Sequence, residues 1–63
     1  MENKINEILE RIGEAHKIRD MQKVMVYFRE FNALAHQSGN ADIHFYNLGL
    51  KLAEAEKERE GGV

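Results

Sequence analysis

Met21, Val24, Phe28, Phe31 and Ala35 follow one another at spacings of three, four, three and four, which is one face of an α-helix. Met25, Val26, Tyr27 and Leu34 widen that face well beyond a narrow coiled-coil seam. A helix apolar over so wide an arc is covered on more than one side, so the pattern predicts the central helix of a small bundle. Ahead of it runs a second stripe, Ile5, Ile8, Ile12 and Ala15, with Leu9 beside it. At ~100° per residue the two stripes do not line up. Continuing the N-terminal stripe would place Arg19 and Gln22 or Lys23 in the core, and all three are polar. One long helix with two faces could absorb the mismatch, and so could a break between Gly13 and Asp20. His16 to Arg19 holds no turn-forming residue, which speaks against a break. The break is preferred all the same, because Asp20 suits an N-cap and the apolar stripe restarts one residue after it.

The strongest loop signal is Ser38-Gly39-Asn40. Gly39 suits the left-handed residue that ends a helix, and Asn40 suits the N-cap of the next. The patterns together predict an all-α fold, a small bundle of two to three helices near 3–17, 20–37 and 41–59. An αα-hairpin crosses the turn at 38–40, residues 1–60 form a single domain, and 61–63 form a disordered tail. The last helix carries two stripes roughly 160° apart. Ile43, Tyr46, Leu50 and Ala53 form one; Phe45, Leu48, Leu52 and Ala55 form the other. One can cover the central helix, and the second needs the N-terminal helix or a second subunit. Self-association, most simply a homodimer, is therefore expected to complete the bundle.

Size sharpens that expectation, because a chain of 63 residues is small for burying a core of its own. Without cysteine it has no disulfide, so helix packing, oligomerisation or a partner must supply the stability. The same absence fits a reducing compartment. The N-terminus is amphipathic and acidic rather than signal-like, and no stretch approaches the ~18 apolar residues of a membrane span. A cytoplasmic protein without a membrane partner is expected. The net charge of −2 opposes general nucleic-acid affinity. Only residues 15–36 are mildly basic, with four bases against two acids.

A weak internal repeat joins the two ends of the chain. Leu9-x-x-Ile12-Gly13-x-x-His16 recurs thirty-six residues later as Phe45-x-x-Leu48-Gly49-x-x-Leu52. The spacing resembles the first helix of a tetratricopeptide repeat, with Val24-x-x-x-Phe28 standing where that family has its A-x3-F second helix. The resemblance covers about residues 9–52 in pieces. His16 stands where the family has an aromatic, Val24 replaces a small residue, and the inter-repeat proline is missing. The family implies protein or peptide binding without catalysis, and one and a half repeats imply association. In size and hairpin plan the chain is also similar to the Rop family, whose paired helical hairpins form a four-helix dimer that binds paired RNA loops. That likeness is architectural, and no motif residue carries it.

Side chains able to carry chemistry are few. His36 and His44 flank the turn and Asp42 lies near them, but no helix carries a His-x3-His or Glu-x-x-His pair, so no metal or cofactor is expected. Glu7, Glu10 and Glu14 line one side of the first helix, with Arg11 and Lys17 placed to pair with them. No phosphate loop or nucleophile triad is present, and no enzyme is expected. The aromatics read as core, with Phe28 and Phe31 facing Tyr46 and Leu50 across the turn and Tyr27 left at a surface. These patterns predict a non-catalytic protein–protein interaction module, a small regulator or inhibitor that docks by a helix face. Met25, Tyr27, Phe45, Leu48 and Leu52 are the expected anchors. The alternative is a small dimeric RNA-binding regulator. Lys4, Arg11 and Arg29 would be its phosphate contacts, collinear if residues 3–37 were one helix.

Overall fold

A computed structural model describes residues 2–61, the side chains at 2 and 59–61 excepted. It is an all-α bundle of three helices: α1 (Glu2–Lys17), α2 (Met21–Ser38) and α3 (Ala41–Gly61). The expected boundaries hold to within a residue or two, α3 running as helix through Gly61. Of the expected tail, residues 62 and 63 lie outside the described residues.

The break between α1 and α2 is real, and the backbone makes it. Arg19 adopts a left-handed conformation (φ 59°), a region that costs an L-residue roughly 1–2 kcal/mol. Its N–H donates to the His16 carbonyl at 3.1 Å, and the Asp20 N–H donates to the Ala15 carbonyl at 3.0 Å. This pair of bonds is the Schellman closure of a helix, here built without glycine. Asp20 then starts α2, its carboxylate accepting from the Lys23 N–H at 3.2 Å. At the other end of α2, Gly39 (φ 80°) takes the left-handed position that its lack of a side chain permits. The Ser38 hydroxyl donates to the Ala35 carbonyl at 2.7 Å and accepts from the Asn40 N–H at 3.1 Å. Asn40 opens α3 through its own carbonyl, which accepts from the His44 N–H at 3.2 Å.

The central helix is α1, not α2. It packs against both of the others more extensively than they pack against each other. Ile5, Ile8, Ile12 and Ala15 are all buried along its single stripe, whereas only Phe31 and Ala35 are buried on α2. The expectation failed because apolar width was taken for depth. Of the residues that widen the face of α2, Met25 and Val26 are exposed, and so are Met21 and Phe28 on the stripe itself. Each buried isoleucine of α1 contributes roughly 1.5–3 kcal/mol.

α1 and α3 run in the same direction with one fixed offset. Lys51 Nζ meets Glu10 Oε1 at 2.7 Å, and Lys17 Nζ meets Glu58 Oε2 at 2.6 Å, each pair forty-one residues apart. The stem of Lys51 lies across Gly13, where a Cβ would come within 3.0 Å of Lys51 Cε. That glycine lets the stem lie flat and the ammonium reach Glu10. The hydrogen bond from Lys17 holds the Glu58 carboxyl below its ordinary range and raises Lys17 in turn, and the bond to Glu10 raises Lys51. Lys17 also reaches Glu14 at 3.5 Å.

Candidate partner-docking surfaces

Packing along one side of α3 decides which of its stripes faces inward. Lys51 and Glu58 flank the stripe of Phe45, Leu48, Leu52 and Ala55 on the side toward α1, where Glu10 and Lys17 await them. Leu48 and Ala55 are buried, and Phe45 and Leu52 pack half-buried against the core. Three expected anchors, Phe45, Leu48 and Leu52, therefore serve the chain's own interior and not an open face. The stripe left in water is the other one. Ile43 is 60% exposed, Tyr46 68% and Leu50 53%.

The rings cluster on Phe45 rather than on Tyr46 and Leu50 as the count back from the turn predicts. Phe31 meets Phe45 edge-on with centroids 5.6 Å apart, Phe28 lies 6.3 Å from it, and His36 5.8 Å. Phe28 was expected in the core, yet it is 42% exposed. It sits about 60° around α2 from the fully buried Phe31, at the edge of the inward face. Met21 and Met25 share its side of the helix, within an arc of about 60°. Met25 is thus the one expected anchor that is exposed. Tyr27, expected at a surface, packs half-buried against the core and lines a shallow depression between α1 and α2 with Ala15, Ile18 and Lys23.

The basic line loses its premise at Arg19. Lys4 and Arg11 lie on α1, Arg29 on α2, and the chain reverses between them. Arg11 is paired with Glu7 at 2.9 Å, and Arg29 lies roughly 160° around α2 from Tyr27, on the side away from α1. Among the described residues no three His, Asp or Glu side chains gather as a group able to hold a metal ion. His36 leans on Phe45 at the surface and His44 is half-buried. His16, which the sequence sets at the aromatic position of the repeat, buries its Nδ1 without a hydrogen-bond partner. No helix among the described residues is long and apolar enough to cross a membrane.

Two groups of exposed apolar side chains stand out among the described residues, the row along the solvent side of α3 and the Met21, Met25 and Phe28 patch on α2, with Ile18 and Val26 exposed outside both. They differ in shape. The row is narrow and straight, with the three-and-four spacing of a seam, while the patch is short and rich in methionine. Comparison with protein-family models, curated proteins and solved structures gives no match to this chain.

Proposed function

We propose that this chain is a non-catalytic protein-interaction module, a small self-associating regulator or inhibitor that docks on a partner protein by burying an apolar helix face. The observation that carries the reading is the open patch of Met21, Met25 and Phe28, with the Phe28 ring tilted against Phe45 at its inner edge. A flexible methionine rim around a fixed ring can fit itself to an apolar helix or groove on another protein. Self-association belongs to the same reading, because a second apolar surface on α3 stands apart from the patch.

Met25→Glu should test it, since that side chain is exposed and its replacement leaves the core intact. The variant is expected to stay helical by circular dichroism and to lose the protein partner that wild type captures in the native host. Arg11→Glu combined with Arg29→Glu is expected to keep that partner. Salt-sensitive RNA binding by wild type, lost in the arginine double variant, would overturn the proposal in favour of a nucleic-acid regulator.

A further inference from the structure

The patch on α2 carries nearly all of the chain's sulfur. Met21 and Met25 stand four residues apart, about 40° around the helix from each other, and each is more than half exposed. Neither belongs to the core cluster. The chain has three methionines and no cysteine, so apart from Met1 these two thioethers are its only sulfur atoms. Oxygen added to a core methionine disrupts the packing around it, whereas a thioether on an open face is reachable and holds nothing together. From these features we infer that Met21 and Met25 form a reversible oxidation site, at which hydrogen peroxide turns the patch polar while the bundle stays folded. For its consequence the inference rests on the docking reading above, because the patch is the surface it would switch; its chemistry does not depend on that reading.

The step balances with peroxide alone. A sulfur lone pair attacks one peroxide oxygen, and the S–O bond forms as the O–O bond breaks. The departing hydroxide takes the proton of the transferred oxygen and leaves as water. Sulfur is oxidised by two electrons and peroxide reduced by two, giving the sulfoxide. Arg29 offers the product at Met25 a partner. It follows Met25 by four residues, and a long side chain on a helix leans back over the preceding turn. Among the described residues Arg29 makes no ion pair or side-chain hydrogen bond, unlike Arg11, which Glu7 holds at 2.9 Å. Its guanidinium is free to donate to the sulfoxide oxygen, where the thioether was only a weak acceptor. Pressed against an apolar partner, that polar group and its attached charge would have to shed water, so oxidation opposes docking.

Trypsin puts Met1, Met21 and Met25 on separate peptides, because Lys4, Arg19, Lys23 and Arg29 divide them. Folded wild type treated with hydrogen peroxide is expected to gain one oxygen at Met21 and one at Met25, about as fast as an unstructured methionine peptide does. Circular dichroism and the denaturant melt should not change, while retention on a hydrophobic-interaction column falls. Methionine sulfoxide reductases specific for the two epimers, acting together, should restore it. Met21→Leu combined with Met25→Leu keeps the patch apolar without its sulfur, and retention of that variant should ignore peroxide. The Arg29 Nε–H resonance should shift on oxidation of wild type and stay in place in Met25→Leu. Oxidation far slower than in the peptide, loss of helix, or an unmoved Arg29 resonance would each overturn the inference. Retention that falls equally in the leucine variant, or that the reductases fail to restore, would do the same. None of these measurements uses the partner. If they fail while Met25→Glu still loses the partner, docking stands alone; if they succeed while Met25→Glu keeps it, the oxidation site stands and the docking reading falls.

Discussion

α1 and α3 lie side by side, yet α1 hides nearly all of its five apolar side chains while α3 leaves four of its nine exposed. In α1 they fall on one face, and Ile5, Ile8, Ile12 and Ala15 disappear together into the core. In α3 they fall on two faces, so covering Leu48 and Ala55 obliges Ile43, Tyr46 and Leu50 to face water. The contrast teaches that the angular spread of apolar residues limits how many of them a single chain can bury. A helix with two apolar faces needs two neighbours on opposite sides, and a three-helix bundle supplies them on one side only.

The hardest test of this contrast places the same charge at two positions of α3. Leu48→Asp puts an unpaired carboxylate in the core, which costs several kcal/mol and is expected to unfold a domain whose whole stability is of that order. Leu50→Asp, two residues on, should leave the circular dichroism spectrum helical. If both variants stay folded, the inward stripe has been misassigned. The same logic applies between the rings of α2. Phe31→Ala should cost about 3–5 kcal/mol in a denaturant melt, and Phe28→Ala roughly half as much, because Phe28 is only partly covered.

A smaller effect separates the two glycines of the internal repeat. Gly49 faces open space, so Gly49→Ala should stabilise the chain by about 1 kcal/mol through helix propensity alone. Gly13→Ala earns the same propensity but presses on Lys51 Cε at 3.0 Å and Cγ at 3.3 Å. The lysine stem can swing aside and give up Glu10, an exposed pairing of modest worth, so the net gain should be smaller, about 0.5 kcal/mol. Paired chemical melts would read the difference. An equal gain at both sites would mean that Lys51 does not lie across Gly13.

The smallest expected effect concerns pH. Glu58 is lowered from 4.5 on folding, so its contribution is present above that value and disappears as the pH falls through the lower folded one. Lys17 and Lys51 are raised from 10.5, so theirs is present below that value and disappears in stronger alkali. Wild type should therefore melt slightly above Lys17→Met at neutral pH, with the gap closing in acid below 4.5. A gap of constant size across that range would show that the pair with Glu58 contributes nothing.

Local chemistry was the legible part of the sequence. Asp20, Gly39 and the out-of-line stripes gave the number of helices and nearly all their ends, because caps and periodicity act within a few residues. The two faces of α3 were legible for the same reason. Which face turns inward was not, since it depends on packing against α1, some forty residues away, where Lys51 and Glu58 meet Glu10 and Lys17 at the rim. That long-range choice moved Phe45, Leu48 and Leu52 from anchors to core and brought Ile43, Tyr46 and Leu50 to the surface. The left-handed Arg19 was hidden as well, because the backbone bonds of the helix end impose it against the residue's own preference. Phe28 and Phe31 look equivalent in a stripe, and only the position of α3 shows that the face ends between them.

The common direction and single offset of α1 and α3 also determine how the molecule would respond to force. Three helices bring the two ends of the described chain out at opposite poles of a body 39 Å long. Tension applied there drags α1 and α3 past each other along their length instead of prising them apart from one end. Both ion pairs share the same register, so each is stretched by the same sliding step, and the lysine stem over Gly13 must drag across the helix at that moment. A pull between the ends would thus be resisted in shear, with the contacts loaded together, whereas a pull across the turn at Gly39 would peel α2 from α3 one layer at a time.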